Sequence, residues 1–142
     1  STRYANYSKD KFRNEITVIR PVWYGQKLID WIEKGKTVKN SEDFDISLKN
    51  RAVCWYDACK KSENMYLAML ENGATPQEAR SVLPNSLKTE IIMTANMREW
   101  RHVFSLRGSK AAHPQIREIT QSLLEGFYKE WPVLFDDIID QE

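Results

Sequence analysis

PQEARSVLPNSLKTEIIMTANMREWRHVFSLRGSKAAHPQ, residues 76–115, is the stretch from which the fold is read. Thr75, just ahead of it, can cap a helix, Pro76 suits the first helical position, and Glu78 can reach back to the cap's amide. Pro84 disfavours helical geometry at Leu83, so this helix is short and Arg80 lies mid-turn on it. Residues 87–95 then alternate Leu87, Thr89, Ile91, Met93 and Ala95 against Lys88, Glu90, Ile92 and Thr94, which is a strand pattern. Asn96 opens a second helix with Met97, Trp100, Val103 and Phe104 on its apolar side, and Gly108 ends it. Arg98 and His102, four apart, face the same way, with Arg101 beside them and Ser105 one turn on.

The same stretch concentrates positive charge. From Arg98 to Arg117 the charged residues are Arg98, Arg101, Arg107, Lys110 and Arg117, opposed in sequence only by Glu99. The whole chain has a net charge of +1, so this is local clustering rather than a basic composition. A bare cationic cluster repels itself, and an anion such as a phosphate or carboxylate offsets that repulsion. The alternative is a solvated basic helix face.

Working outward, 142 residues make one domain, 1–142, the expectation, with enough chain to bury a core. Hydrophobic residues at 42% and charged residues at 29% are ordinary for a globular protein. The near-zero net charge argues against a general nucleic-acid binder or polybasic membrane anchor, and no apolar run approaches the ~20 residues that span a bilayer. Cys54 and Cys59 fall five apart within one expected helix and point away from each other, so two reduced, buried thiols in a cytoplasmic protein are expected. With only His102 and His113 besides, no zinc-ligand set can be assembled.

Residues 1–13 read as a polar loop, and 14–20, NEITVIR, as a short strand or extended segment ended by Pro21. A helix is expected over 23–33, with Leu28, Trp31 and Ile32 on one side and Gly35 closing it. The longest helix is expected over 44–71, its stripe formed by Leu48, Ala52, Trp55, Cys59, Tyr66 and Leu70. The apolar belt around 52–59 is broad enough to suggest contact on more than one side and a subunit interface. His113 and Pro114 start the last long helix, with a stripe of Ile116, Ile119, Leu123, Phe127 and Trp131, and Pro132 breaks it before a tail segment, 133–139. The fold class is therefore α+β, predominantly helical, with a small amount of strand.

No GxGxxG, P-loop or nucleophile motif appears, and the acids are scattered over expected surfaces. The five tryptophans are spread over helices as core or interface residues, not gathered as a stacking platform. What remains is a set of donors suited to anions and polar heterocycles.

EARSVLP, TANMREWRHVFSLR and AAHPQIREI, together with STRY at 1–4, resemble the flavin-dependent thymidylate synthases at compatible spacing from about 75 to 135. In that family an Arg-His-Arg motif precedes a serine by seven residues. Ser1, Arg3 and Tyr4 look like the end of that motif, so the chain resembles the C-terminal two-thirds of such an enzyme, a truncated form of that fold.

The resemblance implies reductive methylation of deoxyuridine monophosphate (dUMP) to thymidylate. Methylenetetrahydrofolate supplies the carbon, and FAD reduced by NADPH supplies the hydride. It implies that Ser1, Arg3, Arg80 and Arg107 hold dUMP, that Asn96, Arg98 and His102 touch FAD, and that no protein nucleophile or general base is needed. Some members carry asparagine where His102 stands. A homotetramer with sites shared between subunits is implied as well. The rival readings are a catalytically inactive helical fragment that self-associates, and a nucleic-acid-binding module using the Arg98–Arg117 cluster.

Overall fold

Twenty-six residues form one uninterrupted helix, α2, Ile46–Glu71, in the computed structural model, which describes residues 15–35 and 44–139. Asp45 starts it by accepting the Leu48 amide at 2.9 Å, and Gly73, at φ 87°, supplies the left-handed residue just past its end. The chain divides into two compact units between Glu90 and Ile91.

In the first unit α2 serves two apolar clusters in succession. Its first half packs Ala52 against Leu28, Ile29 and Ile32 of α1, Gln26–Glu33, with Leu48, Trp55 and Tyr56 around them. Its second half packs Tyr66 against Ile16 and against Ala79 of α3, Pro76–Ala79, with Leu70, Leu83 and Leu87 alongside. The broad apolar belt thus has an intramolecular use. Helix α1 begins three residues later than expected. Gly25 is extended (ψ 154°), and the Tyr24 amide closes a turn on the Pro21 carbonyl at 3.0 Å. The capping box at Thr75 and Glu78 forms as read, and a single 3-10 turn, Arg80–Val82, follows α3.

Residues 15–20 run extended beside α2, held where the Ile16 amide donates to Glu63 Oε1 at 2.9 Å. Val18 forms an isolated antiparallel bridge with Leu87, flanked by Ile19 N to Ser86 O at 2.7 Å and Lys88 N to Thr17 O at 2.8 Å. The strand expected over 87–95 goes no further among the described residues. Alternation makes a pleat, but a strand also needs backbone partners. Past Lys88 the described residues offer none, and Ile91 and Ile92 stand 86% and 100% exposed. The described residues are mostly helical, with almost no strand.

The second unit is three helices, α4 Met97–Arg107, α5 Pro114–Glu130 and α6 Pro132–Ile139, so the expected tail after Pro132 is itself helical. Phe104 and Phe135 are fully buried with Leu124 and Ile138 close to it. Edge-on aromatic contacts bind the cluster: Phe104 to Phe127 at 5.2 Å, Phe104 to Phe135 at 5.6 Å and Phe127 to Phe135 at 5.7 Å. The core face of α5 coincides with the stripe read from sequence only at its C-terminal end, where Phe127 packs in the cluster. Thr120 and Leu124 are buried, whereas Ile116, Ile119 and Leu123 remain exposed. Thr120 can be buried because its hydroxyl donates to the Ile116 carbonyl at 2.7 Å.

Both cysteines are free. Cys59 is buried, which pushes its thiol pKa up, but Cys54 is exposed, contrary to expectation. No helix among the described residues is long and apolar enough to cross a membrane.

Gly108 ends α4 in ordinary right-handed geometry (φ −80°). It is needed for space: a Cβ there would lie 2.7 Å from the Phe104 carbonyl oxygen. Gly108→Ala is expected to lower stability by about 1–3 kcal/mol in urea denaturation, because backbone must shift to admit the methyl.

Candidate functional site

Helix α4 carries four of the residues singled out from sequence. Asn96 is its N-cap, and its Oδ1 accepts the Glu99 amide at 2.9 Å, which leaves the side-chain NH2 as a free-standing donor. Glu99, in the first turn, is where the helix dipole favours an acid. Arg98 and His102 are both exposed, one turn apart on the outward face opposite the Met97, Trp100 and Phe104 side. Arg107 occupies the last turn, where the dipole favours a cation. Nine residues at ~100° each put it about 180° around the axis from Arg98. Arg98 and Arg107 therefore serve different faces of one helix.

Arg101, from the same cluster, has a different use. Its guanidinium makes a two-pronged pair with Asp137 of α6, Nη1 to Oδ1 at 2.8 Å and Nη2 to Oδ2 at 2.6 Å, and also donates to the Leu134 carbonyl. Hydrogen bonding to this partner raises the Arg101 pKa and lowers that of Asp137. Arg101 therefore does not stand on a solvated basic face. It ties α4 to α6 instead, through an acid 36 residues away that no local pattern reveals.

Arg80, the first residue of the 3-10 turn, is half-buried in the first unit. Arg80, Arg98, His102 and Arg107 make no ion pair with an acid among the described residues. Ser1 and Arg3 lie outside the described residues, so their placement is not described. His113 caps α5, its Nδ1 accepting the Gln115 amide at 3.3 Å, in line with a structural role. Among the described residues no group of three or more His, Cys, Asp or Glu could hold a metal ion.

Sequence reasoning missed Glu63. Its carboxylate is buried, holding the Ile16 amide through Oε1 and Lys60 Nζ through Oε2 at 3.1 Å, and that bond raises the Lys60 pKa. An acid falling in the apolar series between Cys59 and Tyr66 was the available signal. Outside α4, two further carboxylates are held below their usual range. Glu78 is held by the Thr75 amide and hydroxyl, and Glu90 by Lys88 at 2.7 Å.

The family model described as "Thymidylate synthase complementing protein" matches residues 1–133. Among curated proteins, one from Haloarcula marismortui named "Flavin-dependent thymidylate synthase" is 34% identical over 96 residues, 68% of this chain and 38% of that protein. Proteins of the same name from Saccharolobus solfataricus (41% over 78 residues, 55% and 30%) and Pyrococcus furiosus (35% over 75 residues, 53% and 31%) are also similar. The matched stretch spans between 30% and 38% of the length of these relatives. No solved structure matches the chain.

Because the Asp137 pKa is lowered in the folded protein, its pairing stabilises the fold above the unfolded aspartate value, ~4. That contribution is lost as pH falls through the lower folded value. The urea midpoint of the native protein is expected to exceed that of Asp137→Asn by a constant amount near neutrality. The gap should close below pH ~4; a gap independent of pH would contradict the pairing.

Proposed function

We propose, because the chain belongs to the thymidylate synthase complementing protein family, that it carries nucleotide- and flavin-contacting residues of a flavin-dependent thymidylate synthase. The reaction is the reductive methylation of dUMP to thymidylate. The observation that carries this reading is the contrast within one basic cluster. Arg101 is engaged by Asp137, whereas Arg98 and Arg107 have no acid partner among the described residues. Unpaired guanidinium groups on exposed faces are placed to receive an anion from outside.

The donor set suits the flavin cofactor. The Asn96 amide nitrogen, the Arg98 guanidinium and the His102 imidazole offer hydrogen bonds matching ring carbonyls and pyrophosphate oxygens, and no acid of α4 other than Glu99 competes. FAD reduced by NADPH supplies the hydride, and methylenetetrahydrofolate supplies the carbon. The chain's own residues bind and orient. The Arg107 fork addresses a pyrimidine carbonyl and ring nitrogen. Arg80 contacts the nucleotide, and Ser1 and Arg3 hold it chiefly by its phosphate. Ser1 is not a nucleophile in this scheme, and the protein's contribution is positioning and electrostatics.

The same reading includes a homotetramer that shares sites between subunits, a cytoplasmic location and a single α+β domain. The exposed apolar stripe of Ile116, Ile119 and Leu123 supports self-association. In the α+β reading, residues 87–95 take up their strand when further backbone pairs with them.

Each of Arg80→Ala and Arg107→Ala is expected to weaken dUMP binding by roughly ten- to hundredfold in calorimetric titration, the cost of a lost charge-assisted hydrogen bond. Unchanged affinity in both would overturn the assignment. For the flavin residues, the protein is expected to retain visible flavin absorbance through gel filtration, and Arg98→Ala to lose it. A variant as yellow as the parent would remove Arg98 from the site.

A further inference from the structure

Arg80 sits on chain that cannot shape itself. Helix α3 has four residues and the following 3-10 turn three, too few hydrogen bonds to repay nucleation in water. Their geometry comes from outside. On the N-terminal side the Thr75–Glu78 capping box fixes the entry, and Ala79, fully buried, rests in the cluster built on Tyr66 of α2. On the C-terminal side two side chains of α2 hold the exit. The Ser62 hydroxyl donates to the Val82 carbonyl, two residues past Arg80. Trp55 Nε1 donates to Ser86 Oγ at 3.0 Å, and the Ser86 carbonyl accepts the Ile19 amide at 2.7 Å.

We infer that Ser62 and Trp55 are positioning residues that set the direction in which Arg80 meets the nucleotide. The inference rests on Arg80 contacting dUMP, as proposed above. The buried Ala79 and the Leu83 side chain, packed in the Tyr66 cluster, fix where the turn lies, and the holds on Val82 and Ser86 limit rotation about its exit. A guanidinium binding a phosphate or carbonyl through two parallel bonds is sensitive to that rotation. Losing either α2 contact lets Arg80 sample directions that do not bind, and ordering it again is a cost charged to each binding event.

The test is dUMP titration of the full chain and its variants, each checked by circular dichroism at the titration temperature. Ser62→Ala and Trp55→Phe, which keeps an aromatic side chain and removes the indole N–H, are each expected to weaken dUMP binding about fivefold. Ser62→Thr, which retains the hydroxyl, restores the parent's affinity. Ile32→Val, which removes a methylene from the other cluster of the same unit, leaves affinity unchanged. In an Arg80→Ala background, Ser62→Ala has no additional effect, because it acts only through Arg80. If Ser62→Ala weakens binding equally with and without Arg80, its role is general stability and the inference is wrong. It is also wrong if Arg80→Ala loses affinity while Ser62→Ala and Trp55→Phe do not. If Arg80→Ala binds like the parent, the reading of Arg80 itself fails, and this inference falls with it.

Discussion

Burial against α2 is the constraint on which the first unit depends. One helix provides the floor for α1 through Ala52 and for α3 through Tyr66, and it catches the extended segment 15–20 through Glu63. The buried Glu63 carboxylate would be costly unpaired, yet a backbone amide and Lys60 satisfy it, one on each oxygen. Elements too short to be stable alone, the four residues of α3 above all, take their conformation from this surface.

The second unit solves a different problem, which is how to keep five cations close together in sequence. Arg101 is drawn out of the cluster by Asp137 and bound into the junction of α4 and α6. The aromatic contacts of Phe104, Phe127 and Phe135 beside it fix the helices' separation. Arg98 and His102 are left on one face of α4 and Arg107 on another. That division suits a helix that addresses two different groups, a flavin and a nucleotide in the proposed function.

The chemistry proposed for this chain asks little of its acids and bases. It needs donors held still, and the observed devices are of that kind: an N-cap that leaves the Asn96 NH2 outward, a dipole-favoured Arg107, and a tethered turn under Arg80. Preorganised donors contribute most when ordering them is complete before the ligand arrives.

Local chemistry alone determined a good part of this molecule. The capping box at Thr75, the stop before Pro84, the start of α4 at Asn96 and the division of α5 from α6 at Pro132 are all legible, because each depends on neighbours within four residues. The family was legible too, since its residues recur at recognisable spacing. Only the tertiary structure decided which acid meets Arg101, which backbone group Glu63 holds, and which face of α5 is buried. It also decided that alternation over 87–95 yields a single bridge at Leu87. The reason is distance along the chain. Glu63 and Ile16 are 47 residues apart and Arg101 and Asp137 are 36, so hydrophobic periodicity can say that a side chain is buried or charged, but not what it will meet once the chain has folded back on itself.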